Sequence, residues 1–326
     1  MRVQVSVLAI ALLSAAPSCS PDTSSGEWPS RPVTVIVPFG AGTGVDMVAR
    51  LVVPRLSERW RQPVVVDNRP GADGMVGAQA FVSARDRHTL LFTPAGQVTL
   101  TPLMRDRMPF DPARDLVPTA AVVTAPIAIG VTGDVKGSLA DLVASVRTEG
   151  GRFLWAATPG LPEVIFKAFL AIETLEMTHV PYRDVSMALR DLAAGRIHVG
   201  IFALPTLMPH VQSDGVRLLA VTSSTRAAAA PDVPTSSEAG YPALSSDGRW
   251  GFYAWRDISP ALRDRIAADV RQVLEDTTLA ARLVAMGLTI APGGAEEFGQ
   301  AIERQRNQVR EIARILGLTP PSETRQ

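Results

Sequence analysis

Val33-Thr34-Val35-Ile36-Val37, closed by Pro38-Phe39 and the loop Gly40-Ala41-Gly42-Thr43-Gly44, leads directly into residues 45–60, VDMVARLVVPRLSERW. A continuous β-branched run between prolines suits a strand buried on both faces, and such strands imply a parallel sheet. Past the glycines, Val45, Val48, Ala49, Val52 and Leu56 recur at helical spacing. The unit is therefore strand, Gly-rich loop, helix. Free backbone N–H groups and the positive end of the helix dipole make such a loop a cradle for an anion. An equal reading is that Gly42 and Gly44 permit a tight turn and Asp46 caps the helix.

The same alternation continues outward. Val64–Val66 predicts a strand, 67–74 a polar turn, and 75–84 a helix with Asp73 as candidate N-cap. Thr89–Thr93 predicts a third strand ending in the turn residues Pro94 to Gly96, and 120–131 reads as one apolar strand. Ser138 opens a helix with Asp141 three residues on, close to a capping box. Strands at 153–157, 177–180 and 197–202 alternate with helices at 163–175 and 186–195, repeating the doubly wound pattern. Residues 216–222 form another strand leading towards 250–255. Ser259 and Pro260 start a helix running to about Met286, and a last helix covers about 295–316.

The chain has 326 residues, 46% of them apolar and 20% charged, so two lobes of about 120 to 170 residues are expected rather than disorder. The expected division is an export signal and polar spacer at 1–27, lobe I from 28–125 with 223–326, and lobe II at 126–222. Lys plus Arg and Asp plus Glu both total 32, which gives no global attraction to nucleic acid or anionic lipid. Arg2 and the apolar run 3–13 read as an export signal too short to span a membrane. Cys19 is the sole cysteine, so no internal disulfide can form. The stretch Ala16-Pro17-Ser18-Cys19 resembles a bacterial lipobox, in which the cysteine would carry a lipid anchor; simple cleavage near Ala16 is the alternative.

No catalytic signature is complete. Gly40-Ala41-Gly42-Thr43-Gly44 with Asp67 after the next strand matches a dinucleotide site only in part, because Val45 stands where a third small residue is needed and export removes the chain from the nicotinamide pool. His88, His179, His198 and His210 are scattered, so no metal site is expected. Neither a Gly-x-Ser-x-Gly elbow nor a Gly-x-x-x-x-Gly-Lys loop is present. No catalytic residue and no cofactor are expected.

Across 28–316 the chain resembles the solute receptors of tripartite tricarboxylate transporters, the Bug-type periplasmic binding proteins. The resemblance rests on Trp28-Pro29-Ser30-Arg31-Pro32, Gln62 to Ala72 (QPVVVDNRPGA), Pro109-Phe110-Asp111-Pro112, His179-Val180-Pro181-Tyr182-Arg183, Leu219-Ala220-Val221-Thr222-Ser223, Pro231 to Thr235, Glu238-Ala239-Gly240 and Trp250-Gly251-Phe252, in that order. It implies an α/β two-lobe periplasmic-binding-protein (Venus-flytrap) fold, each lobe a doubly wound sheet flanked by helices. It also implies capture of a small organic acid for membrane transporter subunits, with membrane contact only through an N-terminal lipid, and a monomer is expected. A ligand-sensing role for a membrane signalling partner is the alternative. Carried onto this chain, the ligand contacts implied are Phe39, Gly42, Thr43, Gly44, Ala72 and Ala95 from lobe I, and Thr158, Gly160, Pro181, Tyr182 and Ala203 from lobe II. For Phe39 and Tyr182 the alternative is core packing. This chain departs from the family pattern at Gly42 to Val45, at Asp73 and Asp184, at the shortened loop Thr158 to Pro162 and at Phe202, which implies a more apolar pocket.

Overall fold

In the computed structural model the described residues are 28–318, apart from 105–107, 183, 214 and 247, with only the backbone of Asp73. The export segment and Cys19 lie outside the described residues. Strand β1 (Val33–Val37) lies between β2 (Val64–Asn68) and β3 (Thr89–Pro94), parallel to both. Helix α1 (Gly44–Trp60) buries Val45, Val48, Ala49, Val52 and Leu56, the stripe its spacing predicts. Helix α2 (Met75–Ala84) starts from Gly74 at φ +83° with no side-chain cap, so Asp73 is not the N-cap. Residues 72–74 form a 3₁₀ turn there, so the cap falls one residue later, at Gly74, while the helix keeps its expected bounds.

Pro94 to Gly96, expected as a turn, instead open helix α3 (Ala95–Leu100), with extended Pro94 as its N-cap. Proline is well suited to that edge because it lacks the N–H that a strand or helix interior would need. After α4 (Pro112–Asp115) the single strand expected at 120–131 is two, β4 (Leu116–Thr124) and β5 (Ile127–Thr132). Ala125-Pro126 divides them, since proline cannot donate to a ladder and holds its predecessor extended. Here the chain leaves one sheet for the other.

The second sheet is built from β5, β6 (Leu154–Ala157), β7 (Thr178–His179), β8 (Val199–Ala203) and β9 (Val216–Val221) in the order β7-β6-β8-β5-β9. Helices α5 (Leu139–Glu149), α6 (Leu161–Ile172), α7 (Val185–Ala193) and α8 (Leu204–Gln212) flank it. Ser138 and Asp141 form the full capping box of α5, with Ser138 N–H donating to Asp141 at 2.7 Å and Asp141 N–H to Ser138 Oγ at 3.3 Å. The chain then returns through β10 (Arg249–Trp255), α9 (Pro260–Leu274), α10 (Thr277–Ala285), β11 (Thr289–Gly293) and α11 (Ala295–Ile315). The tail helix expected from Ser259 to about Met286 is two helices, because Asp276 accepts from the amides of Thr278 and Leu279 and starts α10 afresh.

The first sheet has the order β11-β4-β10-β3-β1-β2. Both sheets are mixed rather than purely parallel: β10 runs antiparallel to β3 and β4, and β5 antiparallel to β8 and β9. Helices cover both faces, so a central antiparallel strand is as apolar as a parallel one and the run VTVIV cannot distinguish them. Helix α11 bridges the two cores: Phe298 and Ile302 share one with Tyr253 of the first sheet and Phe81 of α2, and Val309 and Ile312 share the other with Trp155 of the second sheet and Phe166 of α6. Among the described residues no helix is long and apolar enough to cross a membrane.

At the centre of the first sheet, a methyl group on Gly251 would overlap the carbonyl oxygen of Ala120 and come within 2.5 Å of the Phe298 ring. Gly251→Ala is expected to destabilise the protein by about 3 kcal/mol, measured as the loss in unfolding free energy in a urea titration.

Candidate functional site

Open α/β sheets bind ligands at the carboxyl ends of their parallel strands. The residues singled out from the sequence occupy those ends in both sheets: Phe39 to Gly44 after β1, Ala72 after β2, Ala95 after β3, Thr158 and Gly160 after β6, Pro181 and Tyr182 after β7, and Ala203 at the end of β8. Several contacts tie neighbouring ends together. A methyl on Gly74 would overlap the side-chain amide of Gln97, joining the β2 and β3 ends. Across the sheets, a Cβ on Gly96 would sit 3.1 Å from Leu161 Cδ2, so the start of α3 touches the start of α6. The β6 and β8 ends are linked by Thr158 N–H donating to Ile201 O at 3.1 Å.

The β1–α1 loop is held by one carboxylate. Asp46 is 1% exposed, and its oxygens accept from Gly42 N–H at 2.8 Å, Arg50 Nε at 2.9 Å and Asn68 Nδ2 at 2.8 Å. Asn68 Nδ2 also donates to Phe39 O at 3.1 Å, and Arg50 reaches Asn68 Oδ1 at 2.8 Å. Burial pushes the Asp46 carboxyl up, but the hydrogen bonds from Arg50, Gly42 and Asn68 outweigh it and hold the group below the ordinary carboxylate value. The helix itself is capped by Thr43, whose Oγ1 accepts from Asp46 N–H at 3.4 Å and donates to Gly40 O at 2.8 Å.

This geometry redistributes the donors expected from the sequence. The Gly42 amide and the Thr43 hydroxyl are engaged inside the loop, whereas the amides of Gly44 and Val45 have no partner among the described residues. Beside them lies Trp250, 7% exposed, with ring carbon Cη2 3.3 Å from the Cβ position of Gly44. Its indole N–H likewise has no partner among the described residues. Sequence reasoning passed over Trp250 as a ligand contact. It lies far along the chain from the loop, and only the register Trp250↔Pro94 brings it there.

In the second half, the Thr158 amide is taken by Ile201, and the open amides are those of Leu161 and Glu163 at the start of α6. Gly160 caps that helix at φ +102°, a backbone region that favours glycine. Tyr182 packs partly buried beside Leu189 and Leu192, and its hydroxyl donates to Asp191 at 2.6 Å. Burial and that bond push its hydroxyl pKa up to about 12. Ala95 is buried among Met75, Val98 and Phe110. The histidines are also built into the scaffold: His179 stacks on Trp155 at 4.3 Å, and His198 Nδ1 accepts from Leu154 N–H at 3.0 Å.

Replacing Asp46 by Asn leaves a buried amide facing Arg50 and Gly42 in place of the carboxylate, with an expected loss of about 2 kcal/mol at pH 7. Because the folded carboxyl titrates below its unfolded value near 4, its contribution is complete above that value and fades as pH falls through the folded pKa. Urea titrations of Asp46→Asn and the parent should therefore differ by a constant amount above about pH 5 and converge below about pH 4.

Comparison with known proteins places this arrangement. The family model for the tripartite tricarboxylate transporter family receptor matches residues 48–318. A UPF0065 protein of Bordetella bronchiseptica is 32% identical over 302 residues, covering 92% of this chain and 90% of the relative. BugT of Bordetella pertussis is 29% identical over 271 residues, covering 82% and 83%. Among solved structures, R. palustris Rpa4515 with adipate is 29% identical with a TM-score of 0.80, covering 90% of this chain and 99% of its own. A periplasmic transporter at 26% identity has the same TM-score and coverage. With the family model spanning residues 48–318 and a relative 32% identical over 92% of this chain, the chain belongs to the tripartite tricarboxylate transporter family of receptors.

Proposed function

We propose that this receptor captures a small carboxylate-bearing molecule outside the cytoplasm, by closing two lobes over it, and passes it to its membrane transporter without chemical change. The observation that carries this reading is the set of unpaired donors at the strand ends: the amides of Gly44 and Val45 with the Trp250 indole on one side, and the amides of Leu161 and Glu163 on the other. Donors at helix starts favour negative oxygen atoms without needing an arginine. The relative that carries adipate supports a carboxylate ligand, and the related periplasmic transporter supports the location. The lobes are 28–125 with 223–326, and 126–222, hinged where the chain crosses at Ala125-Pro126 and again near Thr222. Phe39, Gly44, Ala72 and Ala95 line the first side of the cleft, and Thr158, Gly160, Pro181, Tyr182 and Ala203 the second. Gly42 and Thr43 shape the first side through the Asp46 network.

A thermal-shift screen over mono-, di- and tricarboxylates, aromatic acids and amino acids should find at least one acid that raises the melting temperature, since a ligand bound only by the native state stabilises it. Trp250→Phe keeps a ring and removes the N–H, and is expected to weaken that acid about tenfold with the fold intact by circular dichroism. Unchanged affinity would remove Trp250 from the site.

The lipobox-like segment motivates a second proposal, that Cys19 carries a lipid anchor. Expressed in a Gram-negative host, the parent should fractionate with membranes and Cys19→Ala with the soluble periplasmic fraction; identical fractionation would rule the anchor out.

A further inference from the structure

We infer that Lys167 is a specificity-determining residue on the second side of the cleft: by neutralising Glu163 in the first turn of α6, it lets the amides there accept a negative oxygen atom. The inference deepens the receptor reading and rests on it.

The starts of α1 and α6 share a layout. Counted from the N-caps Thr43 and Gly160, the third residue of α1 is Asp46 and the third of α6 is Glu163. Each acid pairs with a base four residues on, Asp46 with Arg50 and Glu163 with Lys167. The amides of Gly44 and Val45 in α1, and of Leu161 and Glu163 in α6, have no partner among the described residues. Both helix starts therefore set a carboxylate in the same turn as the donors an anion would use.

An unpaired acid in that place would decide the outcome. A helix end carries about half a positive charge, whereas a carboxylate in the same turn carries a full negative one. Without its base, the acid would turn a helix start that attracts anions into one that repels them. A glutamate at the third position often reaches back to the N-cap amide, but the Glu163 carboxylate is held by Lys167.

The two pairs differ in how firmly the acid is held. The Asp46 side chain is 2% exposed and accepts from Gly42, Arg50 and Asn68, so losing one donor leaves two. The Glu163 side chain is 20% exposed, and among the described residues its one hydrogen-bond partner is Lys167. His179, which ends β7, stands near enough to feel both charges; burial holds its imidazole below the ordinary value, so the ring is neutral at pH 7. That neighbour places the pair between the start of α6 and the loop that carries Pro181 and Tyr182. Anion binding on this side therefore depends on Lys167 acting through Glu163.

The test is isothermal titration at pH 7 and low salt with adipate, citrate, hexanoate and benzoate, on the parent, Lys167→Met, Glu163→Gln and the double variant. All four proteins keep the backbone amide of residue 163, and affinity should follow the net charge of the pair. Lys167→Met leaves a negative charge and should bind the acids about tenfold more weakly. Glu163→Gln leaves a positive charge and should bind them about tenfold more tightly. The double variant, neutral like the parent, should match it, and raising the salt to about 0.5 M should shrink the whole spread. A merely structural pair would weaken binding in all three variants whatever the salt, and that result would overturn the inference. A double variant as weak as Lys167→Met would overturn it too, by making Lys167 a direct ligand contact, as would single variants that bind like the parent. Circular dichroism of the ligand-free proteins checks the fold, and Lys167→Gln repeats the charge change should Lys167→Met lose it. No binding of any of the four acids by the parent would instead strike the receptor reading, and the inference with it.

Discussion

The buried Asp46 carboxylate is the constraint on which the β1–α1 loop and its free donors depend. A loop of three glycines in five residues has few side chains with which to hold itself, so its shape must come from elsewhere. Asp46 supplies it by accepting from the loop at Gly42, from its own helix at Arg50 and from the next strand at Asn68. Asn68 returns to the loop at Phe39 O. Two strand ends are thereby locked to one another. The lock also explains which donors stay free: a carboxylate beneath the loop satisfies Gly42, Thr43 caps the helix at Asp46 N–H, and the two amides between them are left without a partner among the described residues. Charge compensation by Arg50 matters as much as position, because an uncompensated Asp46 beside those amides would repel the very anion they favour.

The two sheets communicate through few connections, and these differ in kind. At Ala125-Pro126 the crossing is a backbone bend, with Ala125 N–H held by Gly248 O at 2.9 Å, and near Thr222 another bend is held by Ser246 N–H on Thr222 O at 2.8 Å. Any hinge between the proposed lobes would act at these two crossings. Helix α11 is different, since it is continuous and packs apolar residues into both cores. A continuous helix seated in both cores permits rotation about its own contact line more readily than separation, and so constrains any relative movement of the two sheets.

Much of the architecture was legible in the sequence because it depends on local periodicity. The stripe of α1, the extent of α2 and the Ser138 capping box are each written within a turn or two of chain. What escaped was decided by pairing between distant segments. The strand expected at 120–131 reads as continuous in hydrophobicity, and only membership of two sheets breaks it at Pro126. Antiparallel β10 could not be read from VTVIV, because burial on both faces erases the difference. Within the candidate site the sequence singled out loops that lie at strand ends, but not the free donors among them. Gly42 and Thr43 look like donors by residue type, yet the first is consumed by the Asp46 side chain and the second by the carbonyl of Gly40. Trp250 has no local signal at all, since its place beside Gly44 follows from the register of β10 on β3.

A receptor that closes on its ligand needs that ligand to interact better with the closed form than with the open one. Contacts made wholly within one lobe cannot supply this difference, however strong they are, because they are equally present when the lobes are apart. The donors beside α1 belong to this class, so an acid held by them alone would leave closure undecided. Closure must draw on what the second lobe adds. At the start of α6 the available groups are the amides of Leu161 and Glu163, together with the approach of Leu161 to Gly96. With unpaired donors at a helix start in each sheet, an anion bridging the two would gain its second set of hydrogen bonds only on closure, alongside the apolar surface then removed from water.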